Sequence, residues 1–113
     1  MKITNKTKNT ILADDVIIAD TPSRRMRGLL GKKDFDKGRA MIIRPCQSIH
    51  TFFMRFSIDV LFIDKNNKVI KVIPDLRPFR LTPVYLDSAF IIEMPVGVIQ
   101  LSLTSKGDTL IFE

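Results

Sequence analysis

Several residue types are scarce in this chain of 113 residues, and each scarcity restricts what the protein can be. The chain has one cysteine, Cys46, so no disulfide can form within it and nothing marks an oxidising compartment. It also has one histidine, His50, and only two glutamates. No zinc-ligand spacing is present, so we expect neither a metal site nor another cofactor.

Long apolar runs are absent as well. No stretch approaches the roughly 18 apolar residues that a membrane-spanning helix requires. The polar start, M-K-I-T-N-K-T-K-N-T, lacks the apolar run of a secretory signal. Hydrophobic residues nevertheless make up 45% of the chain and charged residues 27%, which is typical of a globular protein with a real core. We therefore expect one domain over residues 1–113, without a membrane span, in the cytoplasm.

The net charge of +6 is distributed unevenly along the chain. Residues 1–55 carry 12 Lys and Arg against 5 Asp and Glu, a net charge of +7, whereas residues 56–113 carry 6 against 7, a net charge of −1. This asymmetry is compatible with a binder of nucleic acid or anionic surfaces. No compact basic motif with interleaved aromatic residues accompanies it, which favours an ordinary solvated surface. The basic residues that a nucleic-acid site would use are Arg24, Arg25, Arg27, Lys32, Lys33 and Arg39.

Short β-type segments dominate the rest of the pattern. Strands are predicted over residues 2–4, 10–19 with a turn at Asp14-Asp15, 39–44, 49–53, 58–64, 69–73, 89–94 and 109–112. One short helix is predicted near residues 22–31, with Thr21 as its cap and Pro22 at its first position. Residues 98–103 could form a helix or a strand. The sequence therefore predicts a mainly β fold, a single-domain sandwich or a jelly-roll-like barrel of short strands with one short helix.

Two connections are of particular interest. Asn66-Asn67 separates two strand patterns and predicts a hairpin with a tight two-residue turn, because asparagine tolerates a positive φ. Residues 74–88 form a fifteen-residue connection with three prolines. Connections of this length are often functional, or they conceal an edge strand.

Candidate functional residues concentrate between Cys46 and Asp59. On a regular strand Cys46 and His50 would lie roughly 13 Å apart, so a thiolate–imidazole pair would require a bend in the chain. The alternative is that Cys46 is a small buried apolar residue and His50 a hydrogen-bonded structural group.

Two carboxylates lie inside apolar strand patterns. Asp59 would need a charged or hydrogen-bonding partner if buried, and Arg55 and His50 are the candidates. Glu93 has a similar setting in F-I-I-E-M-P and could bind a backbone turn or line a pocket. Lys106-Gly107-Asp108 is typical of a structural β-turn.

The chain resembles a known prokaryotic family, called domain of unknown function 192. The resemblance is carried by T-P-S-R-R-M-R-G-L-L-G, by the block from Pro45 to Val69, by I-I-E-M-P-V-G and by K-G-D-T-L. It implies a small β-rich sandwich or jelly roll with one short helix, and it implies no activity. Many relatives lack residues that match Cys46 and His50, which argues against an essential catalytic role for these two.

These observations favour a non-catalytic small β-sandwich that binds a small molecule or a protein partner. The candidate ligand-binding residues are Cys46, His50, Arg55, Asp59 and Glu93. The first alternative is a hydrolase or transferase-like enzyme that uses His50 with Asp59, or Cys46 as a nucleophile. The second is the binder of nucleic acid or anionic surfaces described above.

Overall fold

The structure, a computed structural model, describes residues 1–20, 35–52 and 54–113. Within these residues the chain forms eight strands and one short helix. They are β1 (Ile3–Asn5), β2 (Thr10–Ala13), β3 (Asp15–Ala19), β4 (Arg39–Ile43), β5 (Ile58–Ile63), β6 (Val69–Leu76), β7 (Phe90–Pro95), α1 (Val98–Ser102) and β8 (Leu110–Phe112). The helix predicted near residues 22–31 lies outside the described residues.

The strands form two sheets. One has five strands in the order β3-β4-β7-β5-β6, in which β3 and β4 are parallel and the other pairs antiparallel. The other is antiparallel and has three strands in the order β2-β1-β8. The mainly β, sandwich-like prediction is confirmed, and the two sheets do not close into the alternative barrel.

The centre of the five-stranded sheet is buried on both faces. All six residues of β5 are buried, and side chains alternate between the two faces along a strand. Leu61 and Ile63 point toward the three-stranded sheet, where they pack with Ile3, Leu12, Ile92 and Leu110. Ile58, Val60 and Phe62 point the other way and pack with Met41, Ile49, Met54 and Ile91. The second face is therefore covered in part by residues 46–57, which lie outside the strands.

The β5–β6 hairpin is confirmed, but its turn is longer than predicted. Asp64 and Lys68 close a three-residue loop through the bond from the Asp64 amide to the Lys68 carbonyl, 2.9 Å long. Asn67 adopts φ 62°, and it is the residue of the Asn66-Asn67 pair that takes the left-handed conformation. The Asp64 side chain also accepts hydrogen bonds from the amides of Asn66 and Lys68, both 2.9 Å. The loop thus has the geometry of a turn followed by one left-handed residue.

Three further expectations are resolved by the structure. β6 continues through Pro74 to Leu76, because it is the edge strand of its sheet and needs no donor on its outer side. Residues 98–102 form the helix α1. The strand predicted over residues 49–53 is wrong, because its described residues contribute one isolated bridge, His50 to Leu81.

Candidate functional site

Residues 46–51 and 80–89 lie side by side, bound through their backbones. The Thr82 amide donates to the Ile49 carbonyl (3.0 Å), the Tyr85 amide to the Gln47 carbonyl (2.8 Å) and the Cys46 amide to the Ala89 carbonyl (3.2 Å). Tyr85 packs its ring on Phe62 of β5, with ring centroids 4.5 Å apart. We call residues 46–52 and 77–89 the paired loops. They form a layer on the five-stranded sheet, opposite the three-stranded one.

Thr51 is the buried centre of this pairing. Its hydroxyl donates to the Arg77 carbonyl (2.6 Å) and accepts from the Arg80 amide (2.9 Å). Its own amide donates to the Arg80 carbonyl (2.9 Å), and its carbonyl accepts from the Phe79 amide (3.0 Å). One threonine therefore fixes the backbone of residues 77–80, which explains how a proline-rich segment without regular structure keeps a defined conformation.

The outer side of the paired loops is strongly apolar. Leu81 is 68% exposed and Leu86 is 78% exposed, although burial is the ordinary state of leucine. We call the exposed apolar side chains of this layer the paired-loop surface: Phe52, Phe79, Leu81, Val84 and Leu86. His50 stacks on Phe52 and its backbone pairs with that of Leu81, so Phe52 and Leu81 lie near one another. Exposed apolar groups brought together in this way are typical of interaction sites.

Phe79 is the most unusual residue of that surface. Its side chain is 63% exposed, and its backbone adopts φ 60°. A left-handed conformation is sterically unfavourable for a residue with a bulky side chain, and such strain is found most often at functional sites. The sequence singled out the 74–88 connection but not Phe79 or its apolar neighbours. The available signal was the number of large apolar residues, six, in a segment that also contains three prolines.

The candidate residues in the first loop are close to this surface. His50 is exposed and stacks on Phe52, with ring centroids 5.2 Å apart and an interplanar angle of 22°. Arg55 is exposed just after the turn that the Met54 amide closes on the Thr51 carbonyl (3.2 Å). Cys46 is half-buried, and its thiol donates to the Ser48 carbonyl at 3.1 Å.

Asp59 has a clear structural role. It is 1% exposed and lies on the face of β5 that points toward the three-stranded sheet. Its carboxylate accepts hydrogen bonds from the backbone amides of Asp75 (2.9 Å), Gly97 (3.1 Å) and Ile99 (2.9 Å). The expected partners, Arg55 and His50, are therefore not the ones it uses. It joins β5 to the end of β6 and to the start of α1.

Glu93 is completely buried in the centre of the five-stranded sheet. It lies on β7 directly opposite Met41 of β4 and Val60 of β5. Since Met41 and Val60 belong to the core beneath the paired loops, Glu93 faces that side of the sheet. The structure therefore separates the two buried strand carboxylates, Asp59 and Glu93, onto opposite faces. Asp59 is likewise separated from His50.

A polar cluster between the two chain ends was not foreseen in the sequence. The buried Asn5 donates to the Asp108 carboxylate (2.9 Å) and to the Thr104 hydroxyl (3.0 Å). Asp108 also accepts from the Lys8 ammonium (3.0 Å) and the Ser105 amide (3.0 Å). We call these five residues the Asn5–Asp108 network. It ties the β1–β2 turn to the segment before β8.

This network governs the ionisation of Asp108. Burial raises the pKa of Asp108, but the hydrogen bonds from Asn5, Ser105 and Lys8, together with the Lys8 charge, outweigh it. The pKa of the carboxyl group is therefore held below its ordinary value of 3.8. The predicted structural turn at residues 106–108 is thus also the anchor of a buried carboxylate.

No group of three or more His, Cys, Asp and Glu side chains with the geometry of a metal site occurs in residues 1–20, 35–52 and 54–113. Across the same part of the chain, no helix has the length and apolar character needed to cross a membrane.

A second apolar region lies beside α1, away from the paired loops. It is a groove of about 570 Å³ between β2 and α1. Its apolar lining is Ile11, Leu12, Pro95, Val96, Val98 and Leu101. Ile11 and Leu101 are themselves exposed, which makes them useful controls for the paired-loop surface.

The fold and site together define a mainly β, sandwich-like domain with a layer of paired loops that presents apolar side chains to solvent. The family model for DUF192, described as an uncharacterized ACR, matches residues 2–112. The chain belongs to this family.

Curated relatives carry the family name UPF0127 and come from archaea. The chain is 37% identical to a UPF0127 protein from Thermococcus sibiricus over 96% of its own length and 73% of that protein's. It is 35% identical to one from Pyrococcus horikoshii, with 96% of each chain covered. These relatives are uncharacterised, so they indicate no specific function.

Solved structures with low sequence identity share the fold. A protein of unknown function from Novosphingobium aromaticivorans superposes with a TM-score of 0.80 at 14% identity, over 98% of this chain and 82% of the other. A protein from Sinorhizobium meliloti named a "putative transcription regulator" gives a TM-score of 0.77 at 19% identity, over 97% and 89% of the two chains. At these identities the likeness concerns the fold alone.

Proposed function

We propose that this chain is a non-catalytic binding domain, formed by residues 1–113, whose partner is a protein that docks on the paired-loop surface. The observation that carries the proposal is the exposure of Phe79, Leu81 and Leu86 on a backbone that Thr51 and the loop pairing hold in place. A backbone that is already held in place loses little conformational entropy on binding, which favours affinity.

A protein partner fits this surface better than a small molecule. Small-molecule sites are concave cavities that enclose most of their ligand. The groove beside α1 and a smaller cavity of about 240 Å³, bordered by Met1, Arg44 and Phe112, are lined by other residues than the paired-loop surface. Exposed aromatic and aliphatic side chains on projecting loops instead resemble the anchors of protein–protein interfaces.

The placement of the candidate catalytic groups supports binding over chemistry. The Cys46 thiol donates a hydrogen bond to the Ser48 backbone carbonyl, which is a structural contact. The Asp59 carboxylate accepts three backbone amides on the far face of the sheet, so it is unsuited to orient His50. In the proposal, His50 and Arg55 border the docking site, whereas Cys46, Asp59 and Glu93 support the scaffold beneath it.

The nucleic-acid alternative has less support among the described residues. Arg39 forms ion pairs with Asp15 (3.1 Å) and Asp36 (3.5 Å), which offset its charge. Arg24, Arg25, Arg27, Lys32 and Lys33 lie outside the described residues. The cytoplasmic location expected from the sequence stays a prediction within this proposal.

Site-specific photocrosslinking in cells of an organism that encodes this protein tests the proposal. A benzophenone amino acid replaces Phe79 in one variant and Leu101, beside the α1 groove, in the matched control. We expect position 79 to give a discrete protein adduct that the additional substitution Leu81→Ser removes. Adducts of equal yield from both positions, or adducts only from position 101, would place the partner elsewhere and refute the proposal.

A further inference from the structure

Two arginines flank the strained aromatic Phe79. Arg77 and Arg80 are both exposed, and both have their backbones fixed by the buried Thr51. The Arg80 guanidinium makes two long contacts of 3.5 Å to the carbonyls of Pro78 and Phe79, which leaves most of its five donors for other partners. Thr51 therefore fixes the backbone of a segment in which an exposed aromatic residue is flanked in sequence by two exposed arginines.

Arginine supplies all the positive charge around the paired loops, and it is in slight excess over the acidic residues. Residues 46–57 and 74–89 contain three arginines, Arg55, Arg77 and Arg80, all exposed. The same segments contain two acidic residues, Asp75 and Asp87, and no glutamate or lysine. Arginine is the cation best suited to interfaces, because its planar fork binds a carboxylate in a bidentate manner and it is weakly hydrated.

We propose that the partner presents an acidic amphipathic segment, in which apolar side chains contact Phe79, Leu81 and their neighbours while flanking carboxylates pair with Arg77 and Arg80. This inference rests on the proposed function and adds the chemistry of the partner. Complementary charge at the border of an apolar contact contributes specificity and a faster association.

The aliphatic part of the surface favours a peptide over nucleic acid. Leu81, Val84 and Leu86 offer contact area to other apolar side chains, whereas interfaces with nucleic acid are more polar and much more positively charged. A net excess of one positive charge is also small beside the clusters of Lys and Arg that bind anionic lipid surfaces.

Selection from a random library of displayed 12-residue peptides on the immobilised full chain tests the inference. Four proteins are compared: the wild type; Phe79→Ser/Leu81→Ser; Arg77→Glu/Arg80→Glu; and Lys65→Glu/Lys106→Glu. The last variant has the same change in charge at exposed positions, Lys65 in the β5–β6 turn and Lys106 in the 106–108 turn.

We expect the wild type and the lysine control to enrich peptides that combine large apolar residues with Asp or Glu. The arginine variant should keep the apolar enrichment and lose the acidic one. Its affinity for a selected peptide, measured by fluorescence anisotropy, should fall about tenfold, since each exposed ion pair contributes up to about 1 kcal/mol. Added salt should weaken wild-type binding more than that of the arginine variant.

Each other outcome is decisive. Apolar enrichment without acidic residues would overturn the inference and leave the proposed function standing. Equal enrichment on the Phe79→Ser/Leu81→Ser variant would refute both. An absence of peptide enrichment together with saturable binding of single-stranded DNA or of phosphatidylserine vesicles would overturn the peptide assignment in favour of nucleic acid or of a lipid surface.

Discussion

At the scale of single residues, buried carboxylates join segments of the fold that are distant in the sequence. Asp59 satisfies two amides at the start of α1 and one at the end of β6, at sequence separations of up to 40 residues. Hydrogen bonds to a charged acceptor are stronger than neutral ones, and an unsatisfied buried amide is costly. Asp59 is therefore expected to stabilise the folded state rather than to bind a ligand directly.

Replacement of Asp59 by asparagine should lower the free energy of unfolding by about 2–4 kcal/mol, because the variant loses the charge and turns a donor toward backbone amides. Urea denaturation followed by circular dichroism measures this. The matched control is Asp87→Asn, which changes an exposed aspartate and should shift the free energy by no more than about 0.5 kcal/mol. Equal effects of the two substitutions would show that the three amide bonds contribute little.

Asp108 should make the stability of the protein depend on pH in the acid range. Because its pKa in the folded state lies below the ordinary value of 3.8, the ionised carboxylate stabilises the folded state above about pH 4. This contribution is lost as the pH falls through the lower, folded-state pKa. Asp108→Asn should therefore be less stable than the wild type at neutral pH, by about 1–3 kcal/mol.

The measurement is the urea midpoint of the wild type and Asp108→Asn between about pH 2.5 and 7. The difference between the urea midpoints of the wild type and Asp108→Asn should be constant above about pH 5 and should narrow steadily below about pH 4. A difference that stays the same across the whole range would contradict the assigned ionisation of Asp108.

At the scale of structural elements, the Thr51 hydroxyl group helps to hold residues 77–80 of the paired loops. Thr51→Val keeps the shape of the side chain and removes the bonds to the Arg77 carbonyl and the Arg80 amide. We expect a loss of about 1–3 kcal/mol of stability, together with faster amide hydrogen exchange over residues 77–82. Amides of β5 should exchange as in the wild type until global unfolding dominates. Thr51→Ser, which keeps the hydroxyl, should behave much more like the wild type.

The elements differ in how well the sequence predicted them. The β5–β6 hairpin was predictable because its signals are local: a run of apolar residues, then asparagines that tolerate the left-handed conformation. Residues 49–53 have strand-like composition, yet residues 46–51 are paired with residues roughly thirty to forty positions away in 80–89. Composition within a short window cannot reveal such pairing.

The candidate site was predictable only in outline. The sequence indicated the 46–59 block and the 74–88 connection, and the structure places residues 46–51 beside residues 80–89. The sequence did not distinguish exposed from buried apolar residues, so Phe79 and Leu81 were not recognised. It also could not show that Asp59 caps α1 or that Asn5 reaches Asp108, since these contacts join residues 38–103 positions apart.

At the scale of the whole molecule, residues 1–20, 35–52 and 54–113 form three layers. The three-stranded sheet and the five-stranded sheet enclose one core, and the paired loops close a second core on the other face. Polar anchors such as Asp59 and the Asn5–Asp108 network stabilise the first two layers. The third layer combines exposed apolar side chains with an excess of arginine.

Mapping of the binding surface by nuclear magnetic resonance tests the role of the paired loops most directly. A peptide selected on the full chain is titrated into ¹⁵N-labelled protein, and backbone amide shifts are followed residue by residue. Shift changes should centre on residues 47–52 and 77–87 and should disappear in the Phe79→Ser/Leu81→Ser variant. Changes centred on Ile11 and Leu101, beside the α1 groove, or changes that persist in that variant, would contradict binding through the paired-loop surface.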